Sequence, residues 1–376
     1  MSTFKRFILF LHRWLGLISG LAVFIVSITG CIFVFQDEIQ DAMYSYRTVN
    51  YEQRPLVKPS EIMAKAISRH PGAKVTLVIF YGPKRAAQVR ILEAKVVKSL
   101  FFSPYSGKYL HTEILKDNFF LKIKEIHTHL LLPAKLGKFV NGTCTLIFIA
   151  TMISGLVLWW PRRKSERKRC LTIKWNGKWK RINYDLHNVL GFYITFFAII
   201  FAVSGVAFSF KWVRSGLVAG ANLGKEYPQQ QKLINSDTTL LKKNLSASIA
   251  IDKSFAHVLV KSPEANAFLI FIPSKATGTI SVSAYPKPLH FGFSSNYAFD
   301  RYSGKLLNFA PYISKSPGDK LTSLTYDIHT GQIWGLPGKI IAFLVCLVSA
   351  SLPVTGLILY LNTNRRQKKS KSPIHR

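Results

Sequence analysis

Four of the ten histidines in this 376-residue chain occupy duplicated settings. "HRWLGLISGLAVFIVSITG" starts at His12 and "HNVLGFYITFFAIIFAVSG" starts at His187. Each opens His-x-x-Leu-Gly and closes on Ser/Thr-Gly eighteen residues after the histidine. "IHTHLLLPAKLGKFV" starts at Ile126 and "IHTGQIWGLPGKII" at Ile328. Both lead through Gly-Lys to Ser/Thr-Gly-Leu-x-Leu-aromatic and a basic cluster, with His127 placed 28 residues before Gly155 and His329 27 before Gly356. A histidine at the mouth of an apolar helix is costly unless it is paired. By depth, His12 belongs with His187 and His127 with His329, one histidine of each pair coming from each half of the repeat.

Two facing imidazoles without a third or fourth ligand suit haem iron, which takes two axial nitrogens and packs its ring against apolar walls. Zinc would need four ligands, usually with cysteine or carboxylate among them. Two haems are therefore expected, one near each membrane face. Gly16 and Gly191 each lie four residues after a histidine, on its own helical face, and leave room for a flat ring. Gly16 also begins Gly16-x-x-x-Gly20, an ordinary helix-packing pattern. His129 is an alternative to His127; the repeat has Gly331 at that place. The remaining histidines, His70, His111, His257, His290 and His375, read as surface or loop residues. No catalytic nucleophile or acid–base dyad stands out, and a chain holding two haems would act as an electron wire needing neither.

The elements that must position these side chains are membrane spans. The chain is 48% hydrophobic, yet carries 51 Lys+Arg against 18 Asp+Glu, a net charge of +33. Its mean hydropathy is +0.17. That combination points to a lipid bilayer before nucleic acid, whose binding would need the charge on one folded face. Four runs reach the roughly 20 residues a span requires: about Ile8–Phe35, Phe139–Trp160, Val189–Phe210 and Ile340–Leu361. Dense basic segments flank them, namely Lys5, Arg6 and Arg13, "PRRKSERKRCLTIKWNGKWKR", and "NRRQKKSKSPIHR". By the positive-inside rule both termini are cytoplasmic and both long loops external, which in a bacterium means periplasmic. The expected division is 1–36 (cytoplasmic N-terminus and span), 37–125 (external domain), 126–160 (span), 161–186 (basic linker), 187–211 (span), 212–328 (external domain), 329–361 (span) and 362–376 (basic tail). The two long external loops contain no cysteine, so no disulfide framework is expected. "SITGC" ending at Cys31 is similar to a lipoprotein cleavage box, but the apolar run continues through "IFVF", and Gly30 reads as a packing residue.

The fold class that follows is an integral membrane protein with four transmembrane helices in tandem duplication, helix–external domain–helix twice. Such same-direction halves would pack about an axis along the membrane normal. The external domains read as α+β. A helix is expected at "PSEIMAKAISRH", and strands at "KVTLVIFYG", "AAQVRILEA", "KSLFFSP", "FAHVLVKS", "NAFLIFIPS", "TGTISVSAY" and "NYAFDRYSGKLL". "PYSGK" predicts a turn with Gly107 at positive φ, and residues around Gln229–Asn235 read as a mobile polar stretch.

The motifs "HRWLGL…SITG", "LHNVLGFY", "WWPRR" and "YDIHTGQIWGLPGK" resemble the PepSY-associated transmembrane helix family of bacterial iron-regulated membrane proteins. "PYSGK" and "RYSGK" are similar to turns of PepSY domains. The resemblance covers nearly the whole chain, and "HTHLLLP" departs from it by offering two histidines. It implies an inner-membrane ferric-siderophore reductase with two b-type haems on His12, His187, His127 and His329, a cytoplasmic electron donor as a separate molecule, and two periplasmic PepSY-like domains. Fe²⁺ binds the hard oxygen donors of a siderophore less well than Fe³⁺, so an electron delivered outside would loosen the iron. The alternatives are a non-catalytic PepSY scaffold that restrains peptidases, and a haem reductase acting on a quinone or Cu²⁺.

Overall fold

The computed structural model describes residues 2–371, apart from 162, 228–233 and 244–246. His375 and most of the polar stretch around 229–235 lie outside the described residues. The helices are α1 (Thr3–Val34), α2 (Gln36–Met43), α3 (Pro59–Arg69), α4 (Phe119–His129), α5 (Ala134–Trp159), α6 (Arg167–Leu171), α7 (Trp179–Asp185), α8 (Gly191–Ser209), α9 (Lys211–Ala221), α10 (Ala247–Lys261), α11 (Pro317–His329) and α12 (Leu336–Lys371). The strands are β1 (Lys74–Phe80), β2 (Ala87–Glu93), β3 (Val96–Phe102), β4 (Tyr109–Ile114), β5 (Ala267–Phe271), β6 (Ile280–Tyr285), β7 (Ser295–Phe299) and β8 (Leu306–Ala310). Two compact units result: one of Met1–Phe35, Ile123–Ser215 and Ile328–Arg376, the other of Gln36–Lys122 and Gly216–Asp327.

The first unit is helical. Among the described residues four helical stretches are long and apolar enough to cross a membrane: Thr3–Val34, Ala134–Trp159, Trp179–Ser209 and Leu336–Thr363. The chain is thus a multi-pass membrane protein. Val34, Met152, Ile194, Ala198, Phe201, Ala342, Val345 and Leu352 form the shared core of these helices. In the third stretch α7 and α8 are joined by a π-helical turn, Leu186–Leu190. Insertions of this kind re-aim side chains and recur at functional sites.

The second unit is an eight-stranded antiparallel sheet with order β4-β3-β2-β1-β5-β6-β7-β8. The two segments expected as separate domains therefore share one sheet. β1 and β5 form the seam between them, with Leu77 opposite Phe271 and Phe80 opposite Phe268. A single four-stranded segment would leave β1 as a bare edge, and pairing it removes that liability. Alternate residues supply the core: Val78 and Phe80, Val89 and Ile91, Leu100 and Phe102, Phe268 and Ile270, Ile280 and Val282, Tyr297 and Phe299. Ile62 and Ala66 of α3 and Ala250, Ile251, Phe255 and Val258 of α10 cover that face. Asp252 ties the two helices together by accepting from the Ser60 amide at 3.0 Å.

Two local expectations fail here. "FAHVLVKS" lies in helix α10 and is not a strand. Its buried residues Ala250, Ile251, Ser254, Phe255 and Val258 recur every three to four positions, and that helical stripe outweighs the short β-branched alternation. "NYAFDRYSGKLL" is two strands, because "DRYSGK" folds into a turn between them. Gly107 and Gly304 sit at φ +62° and +67° in the two Tyr-Ser-Gly-Lys turns, as expected of Gly107. The structure adds β4, which the strand expectations lack and which Lys108 separates from Gly107.

Candidate histidine-pair site

His12 sits in the third turn of α1, His187 in the π-helical turn, His127 near the end of α4, and His329 at the end of α11. The structure brings them together in the two couples expected from depth. The rings of His12 and His187 have centroids 6.2 Å apart at 85°. Those of His127 and His329 stand 6.1 Å apart at 65°. The two ring couples are His12 with His187 and His127 with His329, His129 being in neither, and the His129 backbone carbonyl accepts from the Leu132 amide at 2.9 Å. A β-carbon at Gly137 would collide with that carbonyl, and one at Gly338 with the Gly331 carbonyl. This explains why Gly-Lys recurs after both histidine segments: each helix starts with its backbone against the preceding turn.

The hydrogen bonds define the protonation of each ring. His12 Nδ1 lies 3.1 Å from the Thr151 carbonyl and 3.0 Å from Ser154 Oγ. His127 Nδ1 lies 3.0 Å from the Val26 carbonyl and 3.1 Å from Thr29 Oγ1. His329 Nδ1 lies 2.9 Å from the Phe201 carbonyl and 3.0 Å from Ser204 Oγ. A carbonyl oxygen only accepts, so Nδ1 carries the proton in these three rings. His187 Nδ1 lies 2.9 Å from Thr355 Oγ1, whose own proton goes to the Ser351 and Leu352 carbonyls. That hydroxyl therefore accepts, and His187 has the same tautomer. All four Nε2 atoms keep a lone pair, the form in which imidazole ligates a metal.

The spacing of the two couples follows from α1 alone. His127 rests beside Gly30, and 30 − 12 gives 18 residues of helix between that place and His12. At about 1.5 Å per residue the two couples are about 27 Å apart along the helix. His12 and His187 both line a cavity of about 500 Å³, bordered also by Gly16, Gly191, Phe148, Leu352 and Pro353. Both glycines singled out in the sequence thus line it. Gly20 lines it too, and its missing side chain makes room for Pro353, 3.4 Å from where a β-carbon would stand. Among the described residues no group of three or more His, Cys, Asp or Glu is arranged to hold a metal ion. Any metal at either couple would have two protein ligands and take the rest from elsewhere.

His70, His111 and His257 stand apart from both couples, and His257 Nε2 is buried without a hydrogen-bond partner among the described residues. His70 Nδ1 faces Glu93 at 3.2 Å, and Lys98 also bonds that carboxylate. The Glu93 carboxyl is held below its ordinary range, chiefly by the Lys98 hydrogen bond. His111 stacks on Tyr46 at 4.0 Å. His257 is on helix α10, not in a loop, with its ring 5.6 Å from that of Phe299. Sequence reasoning missed the hydroxyls of Thr29, Ser154, Ser204 and Thr355. Their signal was visible as Ser/Thr-Gly closing all four spans, but nothing local says which histidine each one meets.

No curated protein matches the chain. The family model described as "PepSY-associated TM region" matches residues 9–363. That match takes in both couples, three of the four apolar stretches and all but the first six residues of the other, and the chain belongs to the family of PepSY-associated transmembrane-region proteins.

Proposed function

We propose that this protein is a membrane oxidoreductase that carries electrons from a separate cytoplasmic donor to a periplasmic ferric siderophore, with two b-type haems as its prosthetic groups. The observation that carries this reading is the pair of facing imidazole couples, each with Nε2 unprotonated. The residues present fit the group. Two metal–nitrogen bonds of about 2 Å each, plus the half-widths of two rings, account for a centroid separation near 6 Å. At His12 and His187 the glycine-lined cavity offers an apolar wall for a flat ring. Haem bound by His12 with His187, and by His127 with His329, would supply one-electron iron chemistry. The chain's own residues hold the imidazoles in one tautomer, keep the surroundings dry, and set the couples at two depths.

The wider arrangement is read in the same way. The order helix, helix-plus-four-strands, helix occurs twice, which supports a tandem duplication whose two segments are PepSY-like. The density of Lys and Arg between α5 and α7 and after the last span favours an inner-membrane protein with both termini in the cytoplasm. The siderophore rests on the family resemblance, and a quinone or Cu²⁺ would be served by the same couples. A scaffold that only bound peptidases would have no use for four matched imidazoles.

Visible spectra of the detergent-purified protein before and after dithionite, with a pyridine haemochrome assay, test the proposal. Two haems per chain are expected, and dithionite-reduced protein should be reoxidised by ferric siderophore. A colourless preparation from haem-replete cells overturns it.

A further inference from the structure

Every span closes on a Ser/Thr-Gly dipeptide: Thr29-Gly30 in α1, Ser154-Gly155 in α5, Ser204-Gly205 in α8 and Thr355-Gly356 in α12. Each dipeptide meets one of the four paired histidines, and always in the same manner. The hydroxyl lies 2.9 to 3.1 Å from Nδ1 of its histidine. The glycine lies beside the ring edge. A β-carbon at Gly155 would stand 3.1 Å from His12 Cε1, one at Gly356 3.2 Å from His187 Cε1, and one at Gly205 3.0 Å from His329 Cε1. At Gly30 it would stand 3.5 Å from His127 Cε1 and 3.0 Å from Cys346 Sγ.

We propose that these four dipeptides are the positioning elements of the four imidazoles, the hydroxyl setting the electron-donor strength of Nε2 and the glycine setting where the ring stands. The chemistry of the hydroxyl is forced by its own bonds. Ser154 and Ser204 give their proton to the carbonyl three residues earlier, Thr151 and Phe201, each at 2.9 Å. Thr29 and Thr355 share theirs between the carbonyls four and three residues earlier, Ile25 and Val26 at 2.8 and 2.9 Å and Ser351 and Leu352 at 2.9 and 3.1 Å. A hydroxyl has one proton, so towards the ring each can only accept. In three of the four rings the N–H is then shared between a carbonyl and a hydroxyl oxygen; in His187 the hydroxyl is the hydrogen-bond partner at 2.9 Å. An acceptor on the distal N–H makes imidazole a stronger donor to metal and fixes the ring's rotation.

The pattern is also reciprocal. α1 offers His12 to the dipeptide of α5, while His127, which leads into α5, rests on the dipeptide of α1. His187 and His329 exchange in the same way with α12 and α8. Docking is therefore complete inside each half of the chain, and the couples themselves face across the halves. This inference deepens the haem reading and rests on it for its redox consequence, but the tautomer and the ring position stand without it.

The test uses the full chain in detergent. Thr355→Val and Ser154→Ala keep shape and remove one acceptor each at the His12–His187 couple; Thr29→Val and Ser204→Ala do so at the other. In haem-loaded protein each substitution should leave two haems per chain, shift the midpoint potential and the low-spin ferric EPR signal of one of them, and leave the second unmoved. Thr355→Ser should restore the wild-type values. Retained haem with both potentials and both signals unchanged in all four variants overturns the role of the hydroxyls. Gly155→Ala and Gly205→Ala should each lower haem from two to one per chain, whereas Gly216→Ala, whose β-carbon meets nothing within 4 Å, should keep two. Two haems in both cradle variants overturns the role of the glycines. If wild-type protein holds no haem the proposed function fails, and ¹⁵N NMR of its histidines still decides this point: protonated Nδ1 at all four rings supports it, and protonated Nε2 overturns it.

Discussion

The two histidine couples share one construction in different surroundings. Both have centroids near 6 Å, 6.2 and 6.1 Å. Both use carbonyl or hydroxyl acceptors on Nδ1. The His12–His187 couple borders a cavity of about 500 Å³ whose lining includes Arg13, Asn188 and Tyr360. Arg13 lies over the Tyr360 ring at 5.7 Å, so a cation is part of that wall. The His127–His329 couple is packed against an aromatic: Phe208 meets His329 edge-on at 5.8 Å. Cys346 stands beside Gly30 on the same side as His127. If the proposed haems are bound, identical ligands in unlike surroundings would separate their potentials, since burial, nearby charge and hydrogen bonding tune a metal beyond what its ligands set. The comparison teaches that the duplicated residues specify a common grip, and the unduplicated ones specify what distinguishes the two places.

Under the proposed haem reading, the comparison can be broken outright by removing the paired imidazoles. His12→Ala or His187→Ala should lower haem from two per chain to one and stop electron passage from inside to outside. His127→Ala or His329→Ala should do the same for the other centre, while His129→Ala should keep both. Pyridine haemochrome and dithionite-reduced spectra check all five. A His127→Ala protein with full haem content would move the ligand elsewhere.

Filling space sharpens the difference. Gly16→Leu puts four extra carbons into the cavity and should remove the haem at His12–His187 alone, leaving one per chain. Next in size is the anchoring of the π-helical turn. Asp185 is buried and accepts from Arg181 Nε at 2.8 Å and from the Lys174 amide at 3.1 Å. Asp185→Asn should cost about 1–3 kcal/mol in unfolding by denaturant, from the weakened charged bonds. It should also broaden the spectrum of the His187 centre only. The smallest effect belongs to the other couple: Phe208→Leu removes an edge-on ring contact, about 0.5–1.5 kcal/mol, and should shift only the His127–His329 potential.

Much of this arrangement was legible in the sequence. The four spans follow from apolar length, and the partners within each couple follow from depth in a repeat. Gly107 announced its positive φ through turn chemistry. What could not be read required contacts between distant residues. The β1–β5 seam joins residues nearly two hundred positions apart in the chain, and no local periodicity encodes which edge a strand will meet. "FAHVLVKS" was ambiguous because eight residues support either period, and only burial against the sheet decided for a helix. His127 and His129 stand two residues apart and so on nearly opposite faces of α4, and which face meets α1 was fixed only by the position of Thr29 and Val26. The Ser/Thr-Gly endings looked like packing residues because their partners lie on other helices.

The reciprocal docking of histidines has a consequence for how the protein could be made. Each polypeptide half carries both of its imidazoles already seated, and the second unit supplies a strand seam where the halves meet. A break in the basic connection between α5 and α7 severs none of these attachments. Two separately translated fragments, 1–165 and 170–376, should then reassemble when co-expressed, and the prosthetic groups would act as rivets joining them.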